Sequence, residues 1–590
     1  MNCGKLVGLV AAIALSALVV APAASAVQSP DFERLLPVRS PAGVAAPTEM
    51  IARNFKVLGH EDLGMTEMNG DVWVHGNFAY VGTWVIPCNG RGVKIVDVSK
   101  LRRPQLIGTA AARRGTSAED LVVRRVSTPS FSGDLLAVGI QRCGGGRGLA
   151  DDGFGLELWN VTDPYHPEKL GEFPVGVGDG GVHELDLFQR GGRVYALLAH
   201  PFAEWNMGTG EFFIVDVTNP RLPVKVAEWG AAEAGFSRGP LWGLGGFAAM
   251  FAHSARASAD GTKAYVSYWD LGVLTFDISD PASPELLTRT VYEPGADGNA
   301  HSMTPYAAAS GEFILQNDED SDPGAPAEIR YPPGLQGVGI EGAPAPPLWR
   351  ETGHQVVAGV VEAARQGCNA ADYPGNSAGK IVVVRTLFPW FDEGGSRQPL
   401  CQPGRQRARA QAAGAAAIVH DFVARNSSPL AEFSSFQADV PVLATKHRTA
   451  RGMVEAGRAT LMAGRPSVGY LRVYDAESGE QVAKFDEVPN VHRLRAPHGE
   501  WTIHNTEVMG NRAYSSWYSN GIVALDLTPL AEPTPADPVM VGQFVPPLES
   551  FQGLPYTGMW GVAVREDGII FASDFVTGLW IVQPRNAAAP

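Results

Sequence analysis

Seven copies of one apolar strand ending in an acidic or amide residue recur at a spacing of about 57 residues, in a chain with 68 glycines, 44 prolines and only 18% charged residues. Together these predict a mainly β fold, a seven-bladed β-propeller with an inserted α/β unit, because short strands joined by tight turns at that period build propeller blades. The copies are VKIVDV (93–98), LELWNV (156–161), FFIVDV (212–217), VLTFDI (273–278), LRVYDA (471–476), IVALDL (522–527) and LWIVQP (579–584). Their markers Asp97, Asn160, Asp216, Asp277, Asp475, Asp526 and Gln583 are separated by 63, 56, 61, 198, 51 and 57 residues. The long gap exceeds the period by about 140 residues and places the insertion in the fifth unit.

The chain opens with Lys5, an apolar core from Leu6 to Val20, and the small residues Ala24-Ser25-Ala26. This is the pattern of a secretory signal peptide over residues 1–26, cleaved to leave Val27 first. The alternative, an uncleaved anchor, is disfavoured by Pro22 and by an apolar run short of a bilayer span. The mature chain is therefore expected to be secreted or otherwise extracytoplasmic, without a membrane span, and monomeric. A length of 590 residues exceeds one ordinary core, and a net charge of −15 argues against a nucleic-acid binder, which needs a basic footprint.

The segment ARNFKVLGHEDL (52–63) precedes the first unit and has no unit of its own, whereas the seventh unit ends just past Trp580 without an outer strand. The N-terminal segment is expected to supply that strand and close the ring, which removes exposed sheet edges. Propeller blades are thus assigned to 52–325 and 468–583, with the inserted domain at 326–467. The marker strands resemble the LVIVD repeat family, across most of 65–325 and 468–583. That resemblance implies a propeller and an extracellular setting, with no single activity attached.

Within the insertion, Pro323 to Pro347 reads as a Pro- and Gly-rich linker. GKIVVVRTLF (379–388), the helix-forming RQRARAQAAGAAAIVHDF (405–422) and DVPVLATKHRTARGMVEAG (439–457) follow as a strand, helix, strand, helix succession. The strand after Gly379-Lys380, the Ala413–Ala415 run and Val440-Pro441-Val442 resemble a protease-associated (PA) domain. Such domains are non-catalytic interaction or access-controlling modules, and this one is expected over the channel mouth.

The starts of the innermost strands place one residue per blade at an equivalent position: Gly70, Glu119, His183, His253, His301, His504 and Trp560. Imidazoles converging on a channel mouth suit a transition metal, with Glu119 as a nearby base. Repeat inheritance alone would also produce such a register. Aromatics at the ends of second strands, Trp84, Trp205, Trp269, Tyr518 and Phe575, are expected to rim the same face with Glu119 and Trp560 as a recognition surface. Asp318, Asp320, Asp322 and Gly324 partly resemble a calcium loop, although a proline delays the glycine and the final glutamate is missing. A solvated acidic turn is the other reading.

Cys88 and Cys143 fall in equivalent loops of adjacent blades, and Cys368 and Cys401 both fall in the insertion, so disulfides are expected within each pair. Gly375-Asn376-Ser377-Ala378-Gly379 matches GxSxG, but Ser377 precedes a strand rather than following one, so the match is fortuitous. With no intact catalytic constellation, the sequence favours a secreted binding scaffold for a protein, peptide or glycan. The alternative is a metal-dependent extracellular oxidoreductase or hydrolase using the four histidines.

Overall fold

A computed structural model describes residues 50–64, 68–84, 90–142, 154–175, 180–206, 208–236, 250–292, 298–319, 326–341, 345, 348, 355–386, 401–422, 438–463, 469–488, 501–547, 549–551 and 554–590. The signal segment, Cys88, Cys143, Asp320, Asp322 and Gly324 lie outside these residues.

Each repeat folds as a four-stranded antiparallel sheet, and seven such sheets form the propeller. Blade 1 runs Asn69–His75, Phe78–Thr83, Val93–Asp97 and Gln105–Ala110 from the inside outward. In the third strand of a blade, four buried residues precede a half-buried marker, as in Phe212–Asp216 and Leu471–Asp475. The marker is a turn former. Its side-chain oxygen accepts the backbone N–H two residues on: Asp97 from Ser99 (2.8 Å), Asp216 from Thr218 (2.9 Å), Asp277 from Ser279 (2.7 Å), Asp526 from Thr528 (2.9 Å) and Asn160 from Thr162 (3.1 Å). A short Asp or Asn side chain ends the strand this way and starts the turn to the fourth.

Burial is organised between blades rather than within them. One apolar cluster joins Leu197, Phe212 and Ile214 of blade 3 to Val266, Leu274 and Phe276 of blade 4. Equivalent clusters fill the other six junctions, including Phe571, Leu579 and Ile581 of blade 7 against Val72, Val81 and Val96 of blade 1. Phe55–Glu61 closes the ring as the outer strand of blade 7, antiparallel to Gly578–Pro584, with Phe55 opposite Pro584 and Glu61 opposite Leu579. Just ahead of it, Ile51–Arg53 adds a fifth strand to blade 6 against Val539–Val545, a pairing that sequence reading does not anticipate.

The insertion leaves blade 5 after Gly311–Asp318 and returns at Leu471–Asp475, which pair directly. It forms a closed barrel of seven strands, four of them parallel neighbours: Gln355–Glu362, Ile381–Thr386, Ala417–Phe422 and Val442–Lys446. Two readings of this region are corrected. The supposed linker contains the hairpin Pro326–Tyr331 and Leu335–Glu341, which completes the barrel. The supposed helix over 405–422 is the helix Pro403–Ala412 followed by the strand Ala417–Phe422. Gly414, at φ 81°, stops the helix, and the β-branched Ile418 and Val419 enter the buried centre of the sheet. Cys368 and Cys401 form a disulfide whose Cα atoms lie 5.5 Å apart.

Candidate metal centre in the propeller channel

Three of the seven equivalent positions are built by a backbone bulge. In blades 1, 5 and 7 the ladder between the first two strands shifts register between Asn69 and Val72, Ala300 and Ser302, and Met559 and Gly561. These bulges sit at Gly70, His301 and Trp560, and a bulge re-aims the side chain it carries. In blades 3, 4 and 6 the histidine stands just before its strand and is tied to the second strand by its own N–H. His183 donates to Ala199 O (3.0 Å), His253 to Ser267 O (2.8 Å) and His504 to Ser516 O (2.9 Å).

The result is a closed ring of aromatic side chains around the channel. Successive ring centroids from His183 to His253, His301, His504 and Trp560 are 4.2, 4.1, 4.0 and 3.9 Å apart. Trp84 completes the circuit, 5.5 Å from Trp560 and 5.6 Å from His183. All four histidines are buried. Burial holds His183 down to about 3, and burial together with neighbouring imidazoles holds His253, His301 and His504 well below the usual histidine range. The rings are therefore neutral at ordinary pH, each with a lone pair to offer.

His183 Nδ1 lies 3.0 Å from Gln141 Oε1, which assigns it the proton and leaves Nε2 as the lone-pair nitrogen. That Nε2 is 2.8 Å from His253 Nε2. Both nitrogens of His504 and the Nδ1 atoms of His253 and His301 have no hydrogen-bond partner among the described residues. Buried polar atoms seldom remain unsatisfied.

Three glutamates surround the imidazoles. Glu119 Oε2 lies 3.4 Å from His183 Nδ1, Glu184 Oε1 lies 3.6 Å from His253 Nδ1 and 3.7 Å from His301 Nε2, and Glu319 Oε2 lies 3.8 Å from His301 Nε2. Trp560 Nε1 donates to Glu119 Oε1 at 2.7 Å, and Tyr518 donates its hydroxyl to Glu319. Burial, reinforced by nearby carboxylates, pushes Glu119 and Glu184 well above the usual carboxylate range. Potential ligand atoms of His183, Glu184 and His253, and of His253, His301 and Glu319, lie within 4.8 Å of one another.

Directly along the channel, Asn505 of blade 6 donates its amide to both oxygens of Asp71 of blade 1, at 3.0 and 2.8 Å. Further on, Arg256 pairs with Glu507 at 2.8 Å and Arg124 with Asp186 at 2.9 Å, so this layer carries paired charge.

The sequence brought the four histidines and Glu119 to notice, and the structure places the histidines in one ring with Glu119 beside it, 3.4 Å from His183. It missed Glu184 and Glu319 as partners of that ring. The aromatics read as an exposed rim are instead buried walls. Trp84, Trp269, Tyr518, Trp560 and Phe575 are each at most 5% exposed, and they pack against the imidazoles or one another. Trp205 lies in the short helix Ala203–Asn206, with its side chain outside the described residues. The buried carboxylate of Asp318 is taken by Arg472 and also accepts from Gln316 Nε2 at 2.7 Å, whereas the other residues of the possible calcium loop lie outside the described residues.

The LVIVD repeat model matches residues 68–111 and 256–290, and the repeats and the seven-bladed propeller agree with the sequence reading. No curated protein matches the chain. Among solved structures, a zinc aminopeptidase from Bacillus subtilis aligns at 18% identity over 25% of this chain and 32% of its own length, with a TM-score of 0.19. The computationally designed Ika8 protein aligns at 9% identity over 89% of this chain and 98% of its own, with a TM-score of 0.36. At these scores neither overlay bears on function.

Proposed function

We propose that the protein is an extracytoplasmic metalloprotein whose propeller channel holds one first-row transition ion on His183, His253, His301 and His504. The observation that carries this reading is the set of buried, neutral imidazoles from four consecutive blades, four of whose eight nitrogens lack a hydrogen-bond partner among the described residues. Imidazole donors suit zinc, copper, iron and nickel. The His183 and His253 nitrogens, 2.8 Å apart, are close to the ~2.9 Å between adjacent ligands on one ion with bonds of about 2.05 Å meeting at a right angle.

The donors come from one side of the ring, and Trp560 and Trp84 face them with indoles. A centre with donors on one side keeps coordination positions for a small ligand or substrate, as catalytic metal sites do. This favours the metal-dependent reading over a purely passive scaffold, with the propeller as the binding framework in either case. No helix among the described residues is long and apolar enough to cross a membrane, and the disulfide suits an oxidising compartment. We read the inserted barrel as a PA-like interaction module, on the strength of its sequence resemblance.

The test is metal analysis by inductively coupled plasma mass spectrometry of untagged protein purified without chelators. The expected result is near-stoichiometric transition metal, lost in His253→Ala and His301→Ala. Wild-type protein that stays metal-free after incubation with each candidate ion overturns the reading.

A further inference from the structure

The geometry points to Glu119 and Glu184 as positioning carboxylates of the channel centre, each holding one histidine in the tautomer that turns its Nε2 inward; this rests on the metal reading above. The nitrogens of His183 and His253 that face each other are both Nε2. The carboxylates stand at the opposite nitrogens, Glu119 Oε2 behind His183 Nδ1 at 3.4 Å and Glu184 Oε1 behind His253 Nδ1 at 3.6 Å. A histidine that ligates through one nitrogen characteristically donates its other N–H to a carboxylate, which fixes ring orientation and raises ligand basicity.

Both carboxylate atoms, Glu119 Oε2 and Glu184 Oε1, are buried without a hydrogen-bond partner among the described residues, as is His253 Nδ1. Closing the gap at His253 by about half an ångström makes a normal N–H···O bond, whereas the His183 Nδ1–H is already accepted by Gln141 Oε1 at 3.0 Å and Glu119 stands beside it as a second acceptor. The pairs lie on different blades. Glu119 of blade 2 serves the histidine of blade 3, and Glu184 of blade 3 serves the histidine of blade 4, so each carboxylate reaches one blade forward.

Glu119 is held from its other side by Trp560 Nε1, so it is anchored before any ion arrives.

The experiment titrates Co(II) into metal-free wild-type, Glu184→Gln, Glu119→Gln and His253→Ala proteins. Affinity is read by competition with a chelator, and ligand field by visible absorption. Melting of each metal-free variant, followed by circular dichroism, checks folding, and two glutamates on separate blades give two independent readings. The expected result is affinity weakened about 10–100-fold in each Gln variant, with one Co(II) still bound at saturation and a shifted absorption band, and partial recovery in Glu184→Asp. Unchanged affinity and spectrum in both folded Gln variants, beside loss in His253→Ala, overturns this inference alone. Complete loss in Glu184→Gln makes Glu184 a ligand and overturns its positioning role. Wild-type protein that takes up no Co(II) overturns the parent reading and this one with it.

Discussion

Gly70 and Gly82 show why blade 1 contributes no histidine to the ring. A Cβ on Gly70 would lie 2.8 Å from Glu119 O and 3.2 Å from Glu119 Cγ, and one on Gly82 would lie 2.0 Å from Glu119 O and 2.7 Å from Ala118 O. Blade 1 yields its space to Glu119 of blade 2. Gly82→Ala is therefore expected to destabilise the protein by roughly 2 kcal/mol, in the range of overpacked cores, and to weaken metal retention by moving Glu119; thermal melting and metal content of one preparation check both. The histidines were legible in the sequence because one residue per repeat recurs at one register. Glu184 and Glu319 were not. Strict strand alternation sends neighbouring side chains to opposite faces, so a glutamate directly after His183 reads as facing away. The histidine of blade 3 instead precedes its strand, where alternation no longer applies, and Glu184 turns back to His253 and His301. The one available signal was the adjacent His183-Glu184 pair itself.

At the scale of the element, the N-terminal strands divide their work. Ile51–Arg53 only widens blade 6, whereas Phe55–Glu61 completes blade 7 and carries Phe55 into the junction with Tyr514, Phe544 and Trp580. A chain beginning at Phe55 is expected to melt within a few degrees of one beginning at Val27. A chain beginning at Asp62 exposes the edge Gly578–Pro584 and is expected to aggregate or lose its cooperative transition; calorimetry and light scattering of the two truncations decide the matter. Ring closure was legible because a strand without a blade and a blade without an outer strand stand at opposite ends of the sequence. The helix boundary in the insertion was less so, because an alanine-rich run suits a helix until Gly414 ends it. Its continuation, Ala417–Phe422, is a central parallel strand, buried on both faces and without the alternation that marks a half-exposed one.

For the whole molecule, the insertion is separable in principle, because Asn317 and Leu471 are direct partners in the blade 5 sheet. Replacing residues 326–463 with a short Gly-Ser linker is expected to leave a cooperatively folded propeller with wild-type metal content; loss of metal from a folded variant would show that the barrel helps to build the centre. The propeller itself has a consequence in time. Phe55 pairs with Pro584, so a strand made early must wait for the strand made last before it has its partner. Until then blade 7 lacks its outer strand, and so do the junctions that depend on it. Blades 2 to 4 can form as the chain emerges, but the histidine arc is incomplete until blade 6 is made, and its Trp560 wall arrives only with blade 7. Synthesis therefore leaves the chain an open arc whose last junction cannot form, and the proposed metal centre becomes whole only when its two distant ends meet.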